Sequence, residues 1–158
     1  TVGITTRLWC RLVAQPRPSR TVYAICHRRF DGCKTVSDVI AEGIIPASME
    51  MMDEGMIKAV EAAFHFGFPT EAQAMLLLEI DGIEEVLDEQ LEVILDIARA
   101  NHPDDVQACS DPKRRMELWS ARKKAFGAVG RLSHSYCTQD ACVPRSKLPD
   151  VMQSVADI

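Results

Sequence analysis

Residues 74–82 decide how this chain folds: Ala74-Met75-Leu76-Leu77-Leu78-Glu79-Ile80-Asp81-Gly82. The first seven of these residues form a short, nearly continuous apolar run, which predicts a buried strand, and Asp81-Gly82 is typical of the turn that closes one. The segment that follows, residues 83–100, is predicted as the longest helix, because apolar side chains recur on one of its faces. A buried strand followed by an amphipathic helix indicates a fold with both element types.

The same alternation extends in both directions along the chain. Further strands are predicted at residues 21–26, 48–52 and 106–109, and within 136–143. Further helices are predicted at residues 31–42, at 54–66 after a cap at Asp53, from 112 to about 125 after Ser110-Asp111, and from 148 onward. Gly127 and Gly130 indicate a loop after the third of these helices.

Two topologies fit this order of elements. One is a doubly wound parallel sheet, and the other is an α+β, ferredoxin-like sandwich with an antiparallel sheet and helices on one face. The sequence has no G-x-G-x-x-G after its first strand and no P-loop. Both motifs serve nucleotide binding on parallel sheets, so their absence disfavours the parallel alternative.

The N-terminal segment stands apart from the alternation. Residues 1–14 are rich in apolar and β-branched side chains, which predicts another strand. The stretch Gln15-Pro16-Arg17-Pro18-Ser19-Arg20 ends it, because two prolines at this spacing cannot continue a ladder. A chain that opens on such residues, without an initiator Met or a polar tail, is expected to be a piece of a longer protein. We place the boundary between residues 1–18 and 19–158.

Composition excludes several classes of function. The 158 residues are 47% hydrophobic and 26% charged, with a net charge of -5. That length can bury a core, no apolar run reaches the ~18 residues of a spanning helix, and the acidic balance disfavours a nucleic-acid partner.

Six cysteines without C-x-x-C spacing predict reduced, mostly buried thiols in a cytoplasmic protein. Four scattered histidines predict no metal site, and no motif predicts a catalytic nucleophile.

One cluster of residues indicates ligand binding. Trp119 and Arg122 are three residues apart in a predicted helix, so they share a face. The planar fork of an arginine meets a small carboxylate with two hydrogen bonds. The surrounding basic residues are Lys113, Arg114, Arg115, Lys123, Lys124, Arg131 and Arg145. The alternative is that Trp119 is core and the basic residues are a solvated helix end, which the helix dipole favours. From the residues alone this alternative is preferred.

Five stretches together show a family resemblance. They are Thr1-Val2-Gly3-Ile4-Thr5, Gly43-Ile44-Ile45-Pro46-Ala47-Ser48-Met49-Glu50-Met51-Met52-Asp53, Leu77-Leu78-Glu79-Ile80-Asp81-Gly82, Leu118-Trp119-Ser120-Ala121-Arg122-Lys123-Lys124-Ala125-Phe126 with Gly130-Arg131, and Asp140-Ala141-Cys142-Val143-Pro144-Arg145-Ser146-Lys147-Leu148-Pro149. In this order and spacing the chain resembles the middle part of the FAD-linked oxidases of the vanillyl-alcohol-oxidase superfamily. Within that family it is similar to the flavoprotein subunit of glycolate oxidase, with D-lactate and D-2-hydroxyglutarate dehydrogenases as relatives.

The resemblance implies a division of labour between two domains. Residues 1–18 would be the closing strand of an FAD-binding domain that lies upstream, with Gly3 and Ile4 against the cofactor. Residues 19–158 would be the FAD-linked oxidase cap or substrate domain, truncated at its C-terminal end. The family's cap domain is ferredoxin-like, which favours the α+β topology. The family's metal-ligand and catalytic histidines belong to later segments, so this chain alone is expected to be inactive and to bind no FAD.

The resemblance also implies a substrate and the residues that bind it. The parent enzyme would oxidise a small 2-hydroxy acid by passing a hydride to the flavin. Arg122 matches the position that grips the substrate carboxylate, which reverses the preference stated above for this residue. Further candidate pocket-lining residues are Trp119, Lys123, Asp140 and Arg145. Thr138 and Phe126 replace a Lys and a Thr of the dicarboxylate-binding relatives, so a monocarboxylate such as glycolate or lactate fits better.

Partners and location are implied as well, and one different function stays open. Members of the family work with an iron–sulfur subunit and a second flavoprotein-like subunit, in the cytoplasm or at the membrane surface through those partners. No transmembrane segment and no nucleic acid are expected. The alternative is a non-catalytic, ferredoxin-like module for small-ligand sensing or dimerisation, because a fold does not determine a function.

Overall fold

The computed structural model describes residues 3–12, 18–133 and 135–158 of the chain. Within them the elements follow one another in the order β1 (Ser19–Cys26), α1 (Arg29–Ala41), β2 (Ser48–Asp53), α2 (Glu54–Phe64), β3 (Ala74–Asp81), α3 (Glu84–Ala100), β4 (Asp105–Cys109), α4 (Pro112–Leu132) and α5 (Leu148–Ala156). A one-turn 3-10 helix, Arg145–Lys147, precedes α5.

The strands form one antiparallel sheet in the order β2-β3-β1-β4. β3 lies inside the sheet, where Glu79 pairs with Thr21 of β1 on one side and with Ser48 of β2 on the other. An interior strand that is covered on both faces needs apolar residues at successive positions, which explains the buried run from Ala74 to Leu78. The predicted α+β class with an antiparallel sheet is confirmed, and the parallel alternative is excluded for the described strands.

Helices cover both faces of this sheet, so the expectation of helices on one face was wrong. On one face, Val22 and Leu78 pack with residues of α1 and α3. On the other face, Ile25 and Leu77 pack with residues of α2 and α4. The reason lies in the strands themselves, because β1 and β3 bury apolar side chains on both faces and each face needs its own cover.

The helix starts agree with their predicted caps, whereas the end of α4 does not. Asp53 accepts a hydrogen bond from the Met56 amide at 2.9 Å, and Asp111 accepts one from the Lys113 amide at 3.0 Å. α4 continues to Leu132 through the glycines that were predicted to form a loop. A glycine costs a helix about 1 kcal/mol, but a buried stripe of Leu118, Ala121, Ala125 and Ala128 holds α4 in place.

Two predicted strands do not form. Residues 3–12 and 136–143 have no regular secondary structure, and nearly all of their side chains are exposed. Apolar and β-branched residues form a strand only where a neighbouring strand accepts and donates the ladder hydrogen bonds, and neither segment pairs with the sheet. Residues 1–2 and 13–14 of the first predicted strand, and the prolyl segment 15–17, lie outside the described residues.

The cysteines are less buried than expected. Cys26 and Cys33 are buried and Cys109 is half-buried, whereas Cys10, Cys137 and Cys142 are exposed, and all six thiols are free. The expectation of mostly buried thiols was therefore wrong. Burial, with a smaller contribution from nearby acidic groups, raises the pKa of the Cys26 thiol to about 11, so this thiol stays protonated and unreactive near neutral pH.

His65 offers a test of the backbone geometry at the end of α2. It adopts the left-handed conformation, with φ of 55°, and its amide caps the helix through the Glu61 carbonyl. This conformation strains a residue with a Cβ, whereas glycine adopts it freely. We expect His65→Gly to raise the free energy of unfolding by about 0.5–1 kcal/mol in urea titration. The control Ala62→Gly, on the exposed face of α2, should lower it by about 1 kcal/mol. Destabilisation by both substitutions would contradict the assigned geometry.

Candidate functional site

A second stripe of α4, beside its buried alanines, meets two acidic side chains of the sheet. Arg115, Trp119 and Arg122 recur at intervals of four and three residues, so they lie on one side of the helix. Glu79 of β3 and Glu50 of β2 lie on the sheet face that α4 covers, because Glu79 pairs with Ser48 and Glu50 with Leu77. The helix is thus joined to the sheet by polar contacts as well as by apolar packing.

Glu79 is the centre of this polar network. Its Oε2 accepts hydrogen bonds from Thr21 Oγ1 at 3.0 Å, Trp119 Nε1 at 2.9 Å and Arg115 Nε at 3.1 Å. A half-buried indole N–H normally needs such an acceptor, and a carboxylate is a strong one. Glu79 therefore fixes the plane of the Trp119 ring and the direction of the Arg115 guanidinium.

Glu50 holds the residue for which the sequence predicted substrate binding. Its Oε1 lies 2.8 Å from the NH2 nitrogen of Arg122, and the two side chains are 31% and 43% exposed. Arg122 is thus held by an ion pair, and its five N–H donors make no other polar contact among the described residues.

A cleft of ≈ 780 Å³ opens between this stripe and the end of β3. Its lining residues are Ser48, Glu79, Pro112, Arg115, Met116, Trp119, Ser120 and Lys123. Apolar walls with a few convergent polar groups are typical of small-molecule sites. Trp119 and Lys123 therefore line one cleft. Arg122, next in sequence to Lys123, is not among the residues that line the cleft.

Six of the seven basic residues of α4 fall into two groups, and the seventh, Lys113, is exposed at the start of the helix. Arg115, Arg122 and Lys123 belong to the network and cleft described above. The other three cover a row of phenylalanines: Arg114 lies over Phe68, Lys124 over Phe64 and Phe66, and Arg131 over Phe64, each with its charged group 5.0–5.6 Å from a ring centroid. Such cation–π contacts stabilise the packing of α4 on α2 and on the segment that follows α2. Neither group is the plain solvated helix end of the alternative interpretation.

A second, smaller cavity of ≈ 370 Å³ lies on the same face of the sheet, and sequence reasoning missed it. Tyr23, Phe68, Met75 and Leu118 contribute its apolar wall, and Asp104 and Asp105 lie at its rim. Burial, followed by the charge of Asp105, raises the pKa of the Tyr23 phenol, so this group stays neutral at physiological pH. The alternation of Tyr23 and Ile25 along β1 was the available signal, but it does not reveal a cavity.

The remaining predicted site residues lie apart from this cleft. Arg145 is in the 3-10 helix, and its carbonyl accepts a hydrogen bond from Ser37 of α1 at 2.9 Å, which places it on the opposite face of the sheet. Asp140 is exposed in the irregular segment before that helix. Gly3 and Ile4 are exposed as well, Ile4 to 92%. The structure therefore brings Trp119, Arg122 and Lys123 together but not the other four.

The described residues contain neither a cluster of metal-binding side chains nor a membrane-spanning helix. No three His, Cys, Asp or Glu side chains among them lie close enough to hold a metal ion. No helix of the described chain has the length and apolar character required to cross a membrane.

The fold and the cleft together define an α+β domain with arginine, lysine and tryptophan side chains in the lining of one cleft. The model for the C-terminal domain of FAD linked oxidases matches residues 15–158. The chain belongs to this family.

Curated relatives support the assignment over nearly the whole chain. The chain is 38% identical over 155 residues to the glycolate oxidase subunit GlcD of Escherichia coli K12, covering 98% of this chain and 31% of that protein. It is 34% identical over 158 residues to GlcD of Bacillus subtilis, covering 100% of this chain and 34% of the relative. It is 31% identical to a mitochondrial D-lactate dehydrogenase (cytochrome) of Arabidopsis thaliana, covering 96% of this chain and 27% of the relative. The chain thus spans about a third of the length of the relatives it matches.

A solved structure shares the fold. Alkyldihydroxyacetonephosphate synthase superimposes with a TM-score of 0.55 at 11% identity, covering 76% of this chain and 25% of the other. At this identity the similarity concerns the fold alone.

Proposed function

We propose that this chain is the cap domain of an FAD-dependent 2-hydroxy-acid oxidoreductase of the glycolate oxidase type, in which it shapes the substrate pocket over the flavin. The observation that carries the proposal is the cleft lined by Trp119 and Lys123 on the same helix as Arg122. It occurs in a chain that is 38% identical to a glycolate oxidase subunit over 155 residues.

The proposal divides the chain as the sequence suggested. Residues 1–18 would be the closing strand of an FAD-binding domain and residues 19–158 the cap domain, truncated at its C-terminal end. The exposure of Ile4 and Trp9, 92% and 91%, supports this, because large apolar side chains are normally covered. A Cβ placed on Gly3 would meet nothing within 4 Å, so its backbone is accessible to a flat ring such as the flavin.

We describe the core of the cap domain as ferredoxin-like. The elements run β1-α1-β2 and then β3-α3-β4, and the strands are antiparallel in the order β2-β3-β1-β4. This order matches the split βαβ arrangement, which supports the description. In this description α2 and α4 are additions on the second face of the sheet. They matter for function because α4 carries Arg122 and the tryptophan of the cleft.

Each residue of the site has a simple task in this proposal. Arg122 would bind the substrate carboxylate with two parallel hydrogen bonds, which is the geometry that a guanidinium favours. Trp119 and Met116 would provide apolar contact for the carbon chain. FAD supplies the hydride acceptor when it is bound. A carboxylate held at one place directs the α-hydrogen of the substrate to one side, which is a proximity effect.

The proposed substrate and partners follow the relatives. The substrate is a small 2-hydroxy acid, with glycolate or D-lactate as first choices. Further subunits, an iron–sulfur protein and a second flavoprotein-like protein among them, would pass electrons onward. A cytoplasmic location, directly or at a membrane surface through such partners, is supported by six free thiols, which are typical of a reducing compartment.

The test uses the full-length protein that is proposed to carry this chain, called the holoenzyme below. We expect it to purify with a flavin and to reduce an electron-accepting dye when glycolate or D-lactate is added. The 158-residue chain should do neither. A full-length protein without flavin and without turnover of any 2-hydroxy acid would refute the proposal and favour a non-catalytic ligand-binding module.

A further inference from the structure

The ion pair with Glu50 leaves the guanidinium of Arg122 available for a further ligand. The nearest atoms of the pair are Glu50 Oε1 and the NH2 nitrogen of Arg122, 2.8 Å apart, and this ion pair is the one polar contact of Arg122 among the residues described. A guanidinium carries five N–H donors in a planar fork. Most of this fork can therefore still receive a second carboxylate with two parallel hydrogen bonds.

Arg115 provides a contrast on the same stripe of α4. Both its Nε and its NH2 nitrogens lie 3.1 Å from Glu79 Oε2, and that oxygen also accepts from Thr21 and Trp119. Arg115 thus has two donors in a structural contact that fixes the helix to the sheet. Arg122 has the ion pair with Glu50 alone, which suits a side chain that must be oriented but remain able to bind.

The charges around the cleft balance in a specific way. Arg115 is paired with Glu79, and Arg122 with Glu50. Lys123 lines the cleft and has no ion pair among the described residues. Three positive groups and two negative groups leave one net positive charge. That excess suits a ligand with one negative charge. A second negative charge on the ligand would have no positive group left to balance it, and Glu50 would repel it.

We propose that Glu50 is a positioning residue for substrate oxidation: it orients Arg122 for one carboxylate and disfavours substrates that carry a second one. This inference rests on the proposed function. It adds the assignment of Glu50 and a physical reason for selecting monocarboxylates over dicarboxylates.

The test separates orientation from charge with two substitutions. Glu50→Ala in the holoenzyme releases Arg122, and we expect kcat for glycolate to fall by about tenfold or more, because a misaligned carboxylate misplaces the α-hydrogen. Glu50→Gln keeps the shape of the side chain and an oxygen at the same position beside Arg122, so it should restore kcat to within about threefold of the native value. It also removes the negative charge, so the ratio of kcat/KM for malate to that for glycolate should rise by about tenfold.

The matched control is Glu89→Gln, which removes the same charge from an exposed position of α3 on the other face of the sheet. It should leave both kcat and the malate-to-glycolate ratio unchanged.

A second readout is independent of turnover. In the 158-residue chain, Glu50→Ala should shift the Arg122 Nε–H resonance in nitrogen-15 NMR, and the folded amide spectrum should persist.

The outcomes distinguish this inference from the proposed function. If substitutions of Arg122 impaired the enzyme but Glu50→Ala kept the native kcat, the role of Glu50 would be overturned. A native malate-to-glycolate ratio in Glu50→Gln would overturn it as well. A Glu50→Gln variant as slow as Glu50→Ala would also overturn it, since the conservative variant should rescue orientation. Failure of the proposed function would instead appear as a holoenzyme that is indifferent to Arg122.

Discussion

Arg122→Ala in the holoenzyme is expected to lower kcat/KM for glycolate by about 100-fold, which corresponds to about 2.7 kcal/mol of transition-state stabilisation. The reason is that two charge-assisted hydrogen bonds to the substrate carboxylate are lost together. Both kcat and KM should change, because the carboxylate is bound in the ground state and its position also directs the α-hydrogen. Steady-state kinetics with a dye acceptor measures both constants.

Two further variants separate this effect from general disturbance. Arg122→Lys keeps the charge but loses the fork, so we expect an intermediate loss of about tenfold. Arg99→Ala removes an arginine that pairs with Asp96 on the exposed side of α3, and it should leave the kinetics unchanged. If Arg122→Ala behaved like Arg99→Ala, the carboxylate role of Arg122 would be wrong.

Most of the fold could be predicted because local signals agreed with the tertiary structure. The run from Ala74 to Leu78 is apolar at every position, and such a strand is buried on both faces wherever it occurs. The caps Asp53 and Asp111 act within three residues of themselves, so the sequence alone contains the information. The antiparallel order was harder to predict, and it depended on family resemblance rather than on periodicity.

The wrong predictions share a physical cause, which is dependence on partners distant in sequence. The apolar residues between positions 3 and 12 predict a strand, but a strand is stable only beside a neighbouring strand. No strand pairs with these residues in the described chain. Gly127 and Gly130 read as a loop, but buried Ala125 and Ala128 pack on the core and continue the helix. Local preference is overruled when burial of a neighbouring side chain contributes more free energy.

The candidate site shows the same limit. Trp119, Arg122 and Lys123 are close in sequence, and helical spacing was enough to group them. Glu50 and Glu79, which hold that group, lie 72 and 40 residues away from their partners Arg122 and Trp119 in sequence. Both occurred in stretches that resemble the family, yet nothing local distinguishes an acid that binds an arginine from one that faces solvent. The pairing of β2 with β3 supplies that information.

Leu118→Ala should produce the largest loss of stability. Leu118 has no exposed surface and lies in the core cluster that joins α4 and α2 to the sheet. Truncation of such a side chain removes apolar contacts and leaves a cavity, so we expect the free energy of unfolding to fall by about 3 kcal/mol. For a chain of this size each 1 kcal/mol shifts Tm by about 2–4 °C, which predicts a decrease of about 6–12 °C in a thermal scan.

The matched control for this substitution lies two residues earlier on the same helix. Met116 is 67% exposed, so Met116→Ala should change the free energy of unfolding by less than about 0.5 kcal/mol although it alters the same helix. Equal losses from both substitutions would mean that α4 does not pack on the sheet through Leu118. Because the same helix carries Trp119 and Arg122, that result would also remove the structural basis of the cleft. A large difference between the two variants would support both.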